Sequence, residues 1–196
     1  MPIRADAEDS GRCGVCLHYP PAYDATITAV DYAAPVEQLV LRLKFGARLA
    51  LAPLLAELLR DAVLRSGRMP RPLPLPELLC PVPLGAARLR QRGFNQSLEI
   101  ARPLARMLGM PVMPRLLVRL RDTPPQSRLS PDARRLNLRD AFMLQPSLHA
   151  AVRGRHVGVV DDVMTTGETL GEIASLLQRF GAARVTNLVF ARTLPA

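Results

Sequence analysis

The chain has 196 residues, 48% hydrophobic and 22% charged, proportions that suit a globular protein with one main core. Its longest apolar stretch, Leu49 to Leu64, is interrupted by Glu57, Arg60 and Asp61, which argues against membrane insertion. The formal net charge is +9, and the 26 Lys and Arg residues include a single lysine, Lys44. Such an arginine excess has two readings: a solvated basic surface set by genomic composition, or recognition of phosphate by planar guanidinium groups.

Residues 1–22 are polar and broken by Gly and Pro, as in an irregular arm. The opening "MPIRADAEDSGR" lacks the apolar core of a secretion signal, so a cytoplasmic location is expected. Cys13 and Cys16 form a Cys-x-x-Cys, but no second pair exists to complete a four-ligand zinc site. Cys80 lies in an apolar run and reads as a small core residue. His18, His149 and His156 are scattered and suggest surface or strand-edge roles.

"ATITAVDY" alternates and is β-branched, which predicts a strand. In "PVEQLVLRLKF", Val36, Leu39, Val40 and Leu43 form the stripe of an amphipathic helix. A second helix is expected from Leu49 to Arg65, and the prolines of "RMPRPLPLP" then make a connector. Residues 23–75 thus form a mostly helical unit ahead of a core spanning 76–196.

Within that core "ELLCPVPL" predicts a short buried strand. "NQSLEIARPLARMLG" predicts a helix capped by Asn95, stopped at Gly109 and kinked or weakened at Pro103. "MPVMPRLLVRL" and "AFMLQ" read as further strands. "HVGVVDDV", a helix from Gly167 to Phe180, and "RVTNLVFART" complete the pattern. Strands alternating with helices imply an α/β fold, a central parallel sheet covered on both faces. Ligands of such sheets bind outside the carboxyl ends of the strands.

"HVGVV" reads as a buried parallel strand, which puts Asp161 and Asp162 at its carboxyl end. "MTTGET" then turns into a helix, so backbone N–H groups and the hydroxyls of Thr165, Thr166 and Thr169 can cradle an anion. Gly167 permits a close backbone approach or a positive φ. With a phosphate in that loop, an attached sugar would lie over the two carboxylates, which accept hydrogen bonds from hydroxyls and suit Mg²⁺. The bland alternative has the acids capping a strand and the threonines capping a helix. A nucleoside triphosphatase is excluded by the absence of a G-x-x-x-x-G-K-[ST] loop, since Lys44 stands in "LRLKFG".

"VVDDVMTTGETL" resembles the phosphoribosyl pyrophosphate (PRPP) signature of type I phosphoribosyltransferases. "CPVPLGAARLRQRGFNQSLEIAR" and "RDTPPQSRLSPDARRLNLRDAF", with "LRLKFG", resemble the ComF family, associated with DNA uptake in competent bacteria. The resemblance implies the type I phosphoribosyltransferase fold, with 23–75 as a small N-terminal helical hood over the acceptor. It implies that Asp161 and Asp162 contact the ribose hydroxyls, while Thr165, Thr166, Gly167, Glu168 and Thr169 hold the 5-phosphate. The loop after the "CPVP" strand would take pyrophosphate through Leu84, Gly85, Arg88 and Arg92, with Arg90 alongside. Residues 121–140 would form a flap whose Arg121, Arg134 and Arg135 reach the same group. Mg²⁺ would be carried by PRPP near Asp161.

The expected reaction is transfer of the 5-phosphoribosyl group to an unidentified nitrogen nucleophile, with release of pyrophosphate and no covalent enzyme intermediate. Glutamine use is not expected, for want of a glutamine-hydrolysing domain with its cysteine nucleophile. The alternative is a non-catalytic PRPP-binding adaptor or sensor in DNA uptake, meeting single-stranded DNA and the uptake machinery through its basic surface. The scarcity of aromatic residues weighs against it. The oligomeric state is left open.

Overall fold

The computed structural model describes residues 20–69, 72–121 and 141–193. Its main sheet has four parallel strands in the order β1-β6-β5-β2. These are β1 (Ala25–Asp31), β2 (Leu78–Pro81), β5 (His156–Met164) and β6 (Arg184–Arg192). A separate antiparallel pair joins β3 (Leu117–Arg119) to β4 (Phe142–Leu144). The α/β fold with a parallel sheet flanked by helices is as expected.

The near-continuous apolar runs of β2, β5 and β6 follow from burial on both faces. Leu78, Cys80, Val157, Val159, Val185 and Val189 point into one core. Helix α5 (Glu168–Arg179) and the β3/β4 pair cover that face through Leu170, Ile173, Leu177 and Phe142. The alternate residues Leu79, Val160, Leu188 and Phe190 point into a second core. It is closed by α1 (Val36–Gly46), α2 (Leu51–Ser66) and α4 (Gln96–Leu108). Gly158 lies between these faces because a Cβ there would stand 2.5 Å from Leu79 Cδ2 and 2.9 Å from Pro76 Cγ.

Strand β1 comes from the stretch expected to form the hood, yet it is an edge of the main sheet, in parallel register with β6 from Ala25↔Thr186 to Asp31↔Arg192. The stripe predicted for α1 buries Val40 and Leu43 completely.

Helix α4 starts where the sequence puts it. Asn95 Oδ1 accepts the Ser97 N–H at 3.0 Å, and the helix ends on Gly109 at φ 67°. It runs on through Pro103 rather than ending there. Two expectations change. "MPVMPRLLVRL" is not one strand: Val112 makes only an isolated parallel bridge to Leu79, and β3 begins at Leu117 in the other sheet. Pro111 and Pro114 lack the N–H groups a continuous ladder needs. The expected loop after β2 contains instead a seven-residue helix, α3 (Ala86–Arg92), between Gly85 and Gly93.

Candidate functional site

The site forms where two parallel strands differ in length. Strand β2 pairs with β5 only as far as Pro81↔Val160, and the Val82 N–H closes the ladder on the Val160 carbonyl at 2.9 Å. Strand β5 continues to Met164 beside β6 alone. Asp161 and Asp162 sit on that overhang, in the carboxyl-terminal part of β5, which continues two residues past them. The crevice they face is closed by the N-terminus of α4.

Both acids are buried, at 9% and 3% exposure, and each has an assigned partner set. Asp161 Oδ1 accepts from Ser97 Oγ at 2.9 Å and from the Asp162 backbone N–H at 2.9 Å. Asp162 Oδ1 accepts from Gln96 Nε2 at 3.5 Å, and Lys44 Nζ stands 2.6 Å from Asp162 Oδ2. Burial pushes the Asp161 carboxyl up to about 7 and the neighbouring Asp162 charge adds to the rise. The Lys44 ammonium, the Ser97 hydroxyl and the Asp162 N–H pull the other way.

Lys44, Gln96 and Ser97 were not singled out as site residues from sequence. Lys44 carried a signal nonetheless, as the one lysine in an arginine-rich chain. Gln96 and Ser97 follow directly on a legible helix cap, and Asn95 Nδ2 donates to the Val82 carbonyl at 3.0 Å, tying that cap to the end of β2.

The threonine loop stands at the other side of Asp161. Gly167 has φ 82°, and a Cβ there would lie 2.5 Å from Met164 Cε and 3.2 Å from the Tyr23 hydroxyl. The positive φ favours glycine, and an added Cβ would displace the end of the Met164 side chain. Gly167 caps α5 without a side-chain hydrogen bond, leaving the first-turn N–H groups uncapped by the N-cap residue. Thr165 and Thr166 are exposed and Thr169 is half-buried. Together with Asp161 they line a cleft of about 110 Å³. Glu168 Oε2 is buried without a hydrogen-bond partner among the described residues; its backbone N–H, not its carboxylate, suits an anion.

Leu84, Arg88 and Arg92 line a larger cleft of about 700 Å³ that also contains Lys44 and Gln96. Arg92 Nη1 donates to Gln96 Oε1, so a chain of contacts runs from Arg92 through Gln96 to Asp162. Gly85 is buried at the start of α3. Arg121 is exposed beyond β3, where its carbonyl accepts from Arg119 Nε at 3.2 Å, and it lines neither cleft. Arg134 and Arg135, with the rest of the expected flap, lie outside the described residues, as do Cys13, Cys16 and His18.

Among the described residues no cluster of three or more His, Cys, Asp and Glu side chains forms a metal cage. Asp161 brings one carboxylate to the small cleft. One carboxylate with water and phosphate oxygens is a donor set that Mg²⁺ accepts. Cys80 is fully buried, and burial pushes its thiol up to about 12, which fits a core residue and not a nucleophile. His156 is buried at the start of β5, its Nε2 2.8 Å from Thr186 Oγ1. His149 packs against the Phe180 ring, centroids 4.3 Å apart.

The family model of the phosphoribosyl transferase domain matches residues 95–194. The DNA utilization protein YhgH of Salmonella typhi is 43% identical over 182 residues, 93% of this chain and 78% of that protein. Competence protein F of Haemophilus influenzae is 38% identical over 173 residues, 88% and 75% of the two chains. Among solved structures, the glutamine PRPP amidotransferase of B. subtilis is similar at 21% identity and a TM-score of 0.43, over 73% of this chain and 26% of that one. Of the described residues, no helix is long and apolar enough to cross a membrane. With a phosphoribosyl transferase domain over its C-terminal half and competence and DNA-utilization proteins as relatives along most of its length, the chain belongs to the ComF-type phosphoribosyltransferase-like family.

Proposed function

We propose that the chain binds PRPP and transfers its 5-phosphoribosyl group to a nitrogen nucleophile. The C1–O bond to pyrophosphate breaks, a C1–N bond forms, and the nitrogen gives up its proton. The observation that carries this reading is the shared cleft: Asp161 and the loop Thr165 to Thr169 line one small cavity at the start of α5. A 5-phosphate there leaves the ribose within reach of the buried acids.

The chain's own groups have separable tasks in this scheme. Thr165, Thr166, Thr169 and the first N–H groups of α5 bind the 5-phosphate. Asp161 and Asp162 accept hydrogen bonds from ribose hydroxyls, which holds C1 in a fixed place while positive charge develops on the sugar. Arg88 and Arg92 stand on the side where the leaving group's charge grows. Mg²⁺, brought with PRPP near Asp161, would supply neutralisation of the pyrophosphate oxygens.

Calorimetric titration with PRPP and Mg²⁺ tests the site, beside Asp161→Asn/Asp162→Asn and Thr166→Ala variants. Saturable binding by the wild type that is lost in the folded variants supports the reading; absence of binding by the folded wild type overturns it. A second reading, a PRPP-binding adaptor or sensor in DNA uptake, is favoured by the names of the relatives, a DNA utilization protein and a competence protein. PRPP binding without pyrophosphate release across a panel of bases and amines, with salt-sensitive binding of single-stranded DNA, would select it.

A further inference from the structure

Gln96 is an uncharged side chain buried between two opposite charges. It opens α4 directly after the Asn95 cap and is 6% exposed. Its Oε1 accepts from Arg92 Nη1 on α3, and its Nε2 donates to Asp162 Oδ1 on β5 at 3.5 Å. The other Asp162 oxygen faces Lys44 Nζ at 2.6 Å. Four elements thus contribute one line of groups, Lys44, Asp162, Gln96 and Arg92, in which cation, anion, dipole and cation follow one another.

A primary amide suits the place between Asp162 and Arg92 because it carries an acceptor at one end and donors at the other. Arg92 can only donate and an ionised Asp162 can only accept, so one amide orientation satisfies both neighbours and the flipped one satisfies neither. The 3.5 Å contact is the longer link, and the charge on Asp162 assists it. Burial lowers the Arg92 pKa, and the Asp162 charge acts against that fall, so the two charges feel each other across the amide. In direct contact they would form an ion pair that withdraws both from a substrate. Arg92 is also held from a second side, its guanidinium 5.4 Å from the centroid of the Phe45 ring. Tyr32, Phe45 and Phe94 line the cleft beside Lys44, Arg88 and Arg92, and such apolar walls make a misplaced charge more costly than it would be in water.

We infer that Gln96 is a positioning residue of the proposed transferase: it keeps Arg92, on the leaving-group side, at a set separation from Asp162, on the ribose side, so that the two halves of PRPP meet groups already in register. The inference rests on the PRPP reading for the identity of the ligands; the orientation of the amide rests on its two contacts.

Calorimetry on the full chain with Mg²⁺ tests this, with PRPP, pyrophosphate and ribose 5-phosphate as probes in a cycle of wild type, Gln96→Met, Arg92→Met and the double variant. Gln96→Met keeps the length of the side chain and removes both hydrogen bonds. Each single variant is expected to lose at least about 10-fold in pyrophosphate affinity, and the double variant less than about 3-fold more, because a displaced Arg92 has little left to contribute. Ribose 5-phosphate affinity in Gln96→Met should change by less than about 3-fold, since Ser97 still holds Asp161 and Lys44 still holds Asp162. The same cycle with Gln96→Glu, whose carboxylate pairs with Arg92 and is repelled by Asp162, should show the same non-additivity in pyrophosphate affinity, and it replaces Gln96→Met if that variant does not fold. Additive losses in pyrophosphate affinity, or equal losses for the two fragments, would give Gln96 a structural role only and overturn the inference. PRPP affinity in folded Gln96→Met equal to that of wild type also overturns it and leaves the transferase reading standing. Failure of the folded wild type to bind PRPP or pyrophosphate refutes that reading, and this inference with it.

Discussion

Lys44 Nζ stands 2.6 Å from Asp162 Oδ2, linking the last turn of α1 to the overhanging end of β5. The chain's one lysine thus neutralises the more deeply buried of its two site carboxylates, at 4% side-chain exposure. A compact ammonium on a long stem fits this gap, whereas the broad fork of an arginine calls for two acceptor oxygens. The contact also ties the larger cleft, which Lys44 lines, to the neighbour of Asp161, which lines the smaller one.

Removing Lys44 leaves a buried charge without its counter-ion. Lys44→Met is expected to destabilise the fold by about 2 kcal/mol, below the range for a fully buried pair because the lysine side chain is 21% exposed. Lys44→Met/Asp162→Asn should recover part of that loss. Urea titrations of the two single variants and the double variant check this; additive losses would mean the pair is not coupled.

Asp161 gives the stability a pH dependence of definite sign. Its folded-state pKa is raised, from 3.8 to about 7, so the stability linked to this group is present below pH 4 and is lost as pH rises through 7. Asp161→Asn keeps an oxygen to accept from Ser97 and from the Asp162 N–H while removing the charge. Relative to wild type it should gain at least about 1 kcal/mol at pH 8 and nothing at pH 4. Denaturant midpoints at the two pH values decide, and a gain of equal size at both would refute the assignment.

Two glycines separate fold from site. At Gly158 an added methyl meets Leu79 Cδ2 at 2.5 Å and Pro76 Cγ at 2.9 Å, so Gly158→Ala overpacks the sheet and should cost about 1–3 kcal/mol. Gly167→Ala forces φ 82° on a side chain that meets Met164 Cε at 2.5 Å; the thioether end is flexible, so the expected stability cost is about 1–2 kcal/mol. Its greater effect should be on PRPP, with affinity falling at least about 10-fold as the loop shifts. Parallel thermal melts and calorimetric titrations distinguish the two.

Asn95 positions both partners of the acidic pair without touching either acid. Its Oδ1 caps α4 at Ser97 N–H and its Nδ2 holds the Val82 carbonyl. Asn95→Ala should lose about 1 kcal/mol from the cap and weaken PRPP binding, whereas Asn95→Asp, which retains the capping oxygen, should keep most of the helix stability. Equal losses in the two variants would assign the effect to the Val82 bond instead.

Much of the site was legible in the sequence because it is local. An apolar run, two acids, a threonine–glycine turn and an amphipathic helix follow one another along the chain, and backbone sterics and hydrogen bonding alone order them as strand, crevice and helix N-terminus. The Asn95 cap and the Gly109 stop were readable for the same reason. From Met110 to Leu120 the apolar content alone suggests one strand, but the missing N–H groups of Pro111 and Pro114 divide the segment between two sheets.

The rest depended on contacts between distant segments. Ser97 and Gln96 lie more than sixty positions before the acids they bind, and Lys44 is farther still. Only packing of α1, α2 and α4 on one face of the sheet brings them there. Chain order alone makes two carboxylates and a threonine–glycine turn neighbours. The tertiary structure decided that the carboxylates are buried, which of them pairs with the lysine, and that three scattered aromatic rings share a cavity with three cations. Burial and charge pairing are properties of the assembled layers, since they depend on what excludes water from a group and not on its neighbours in the chain.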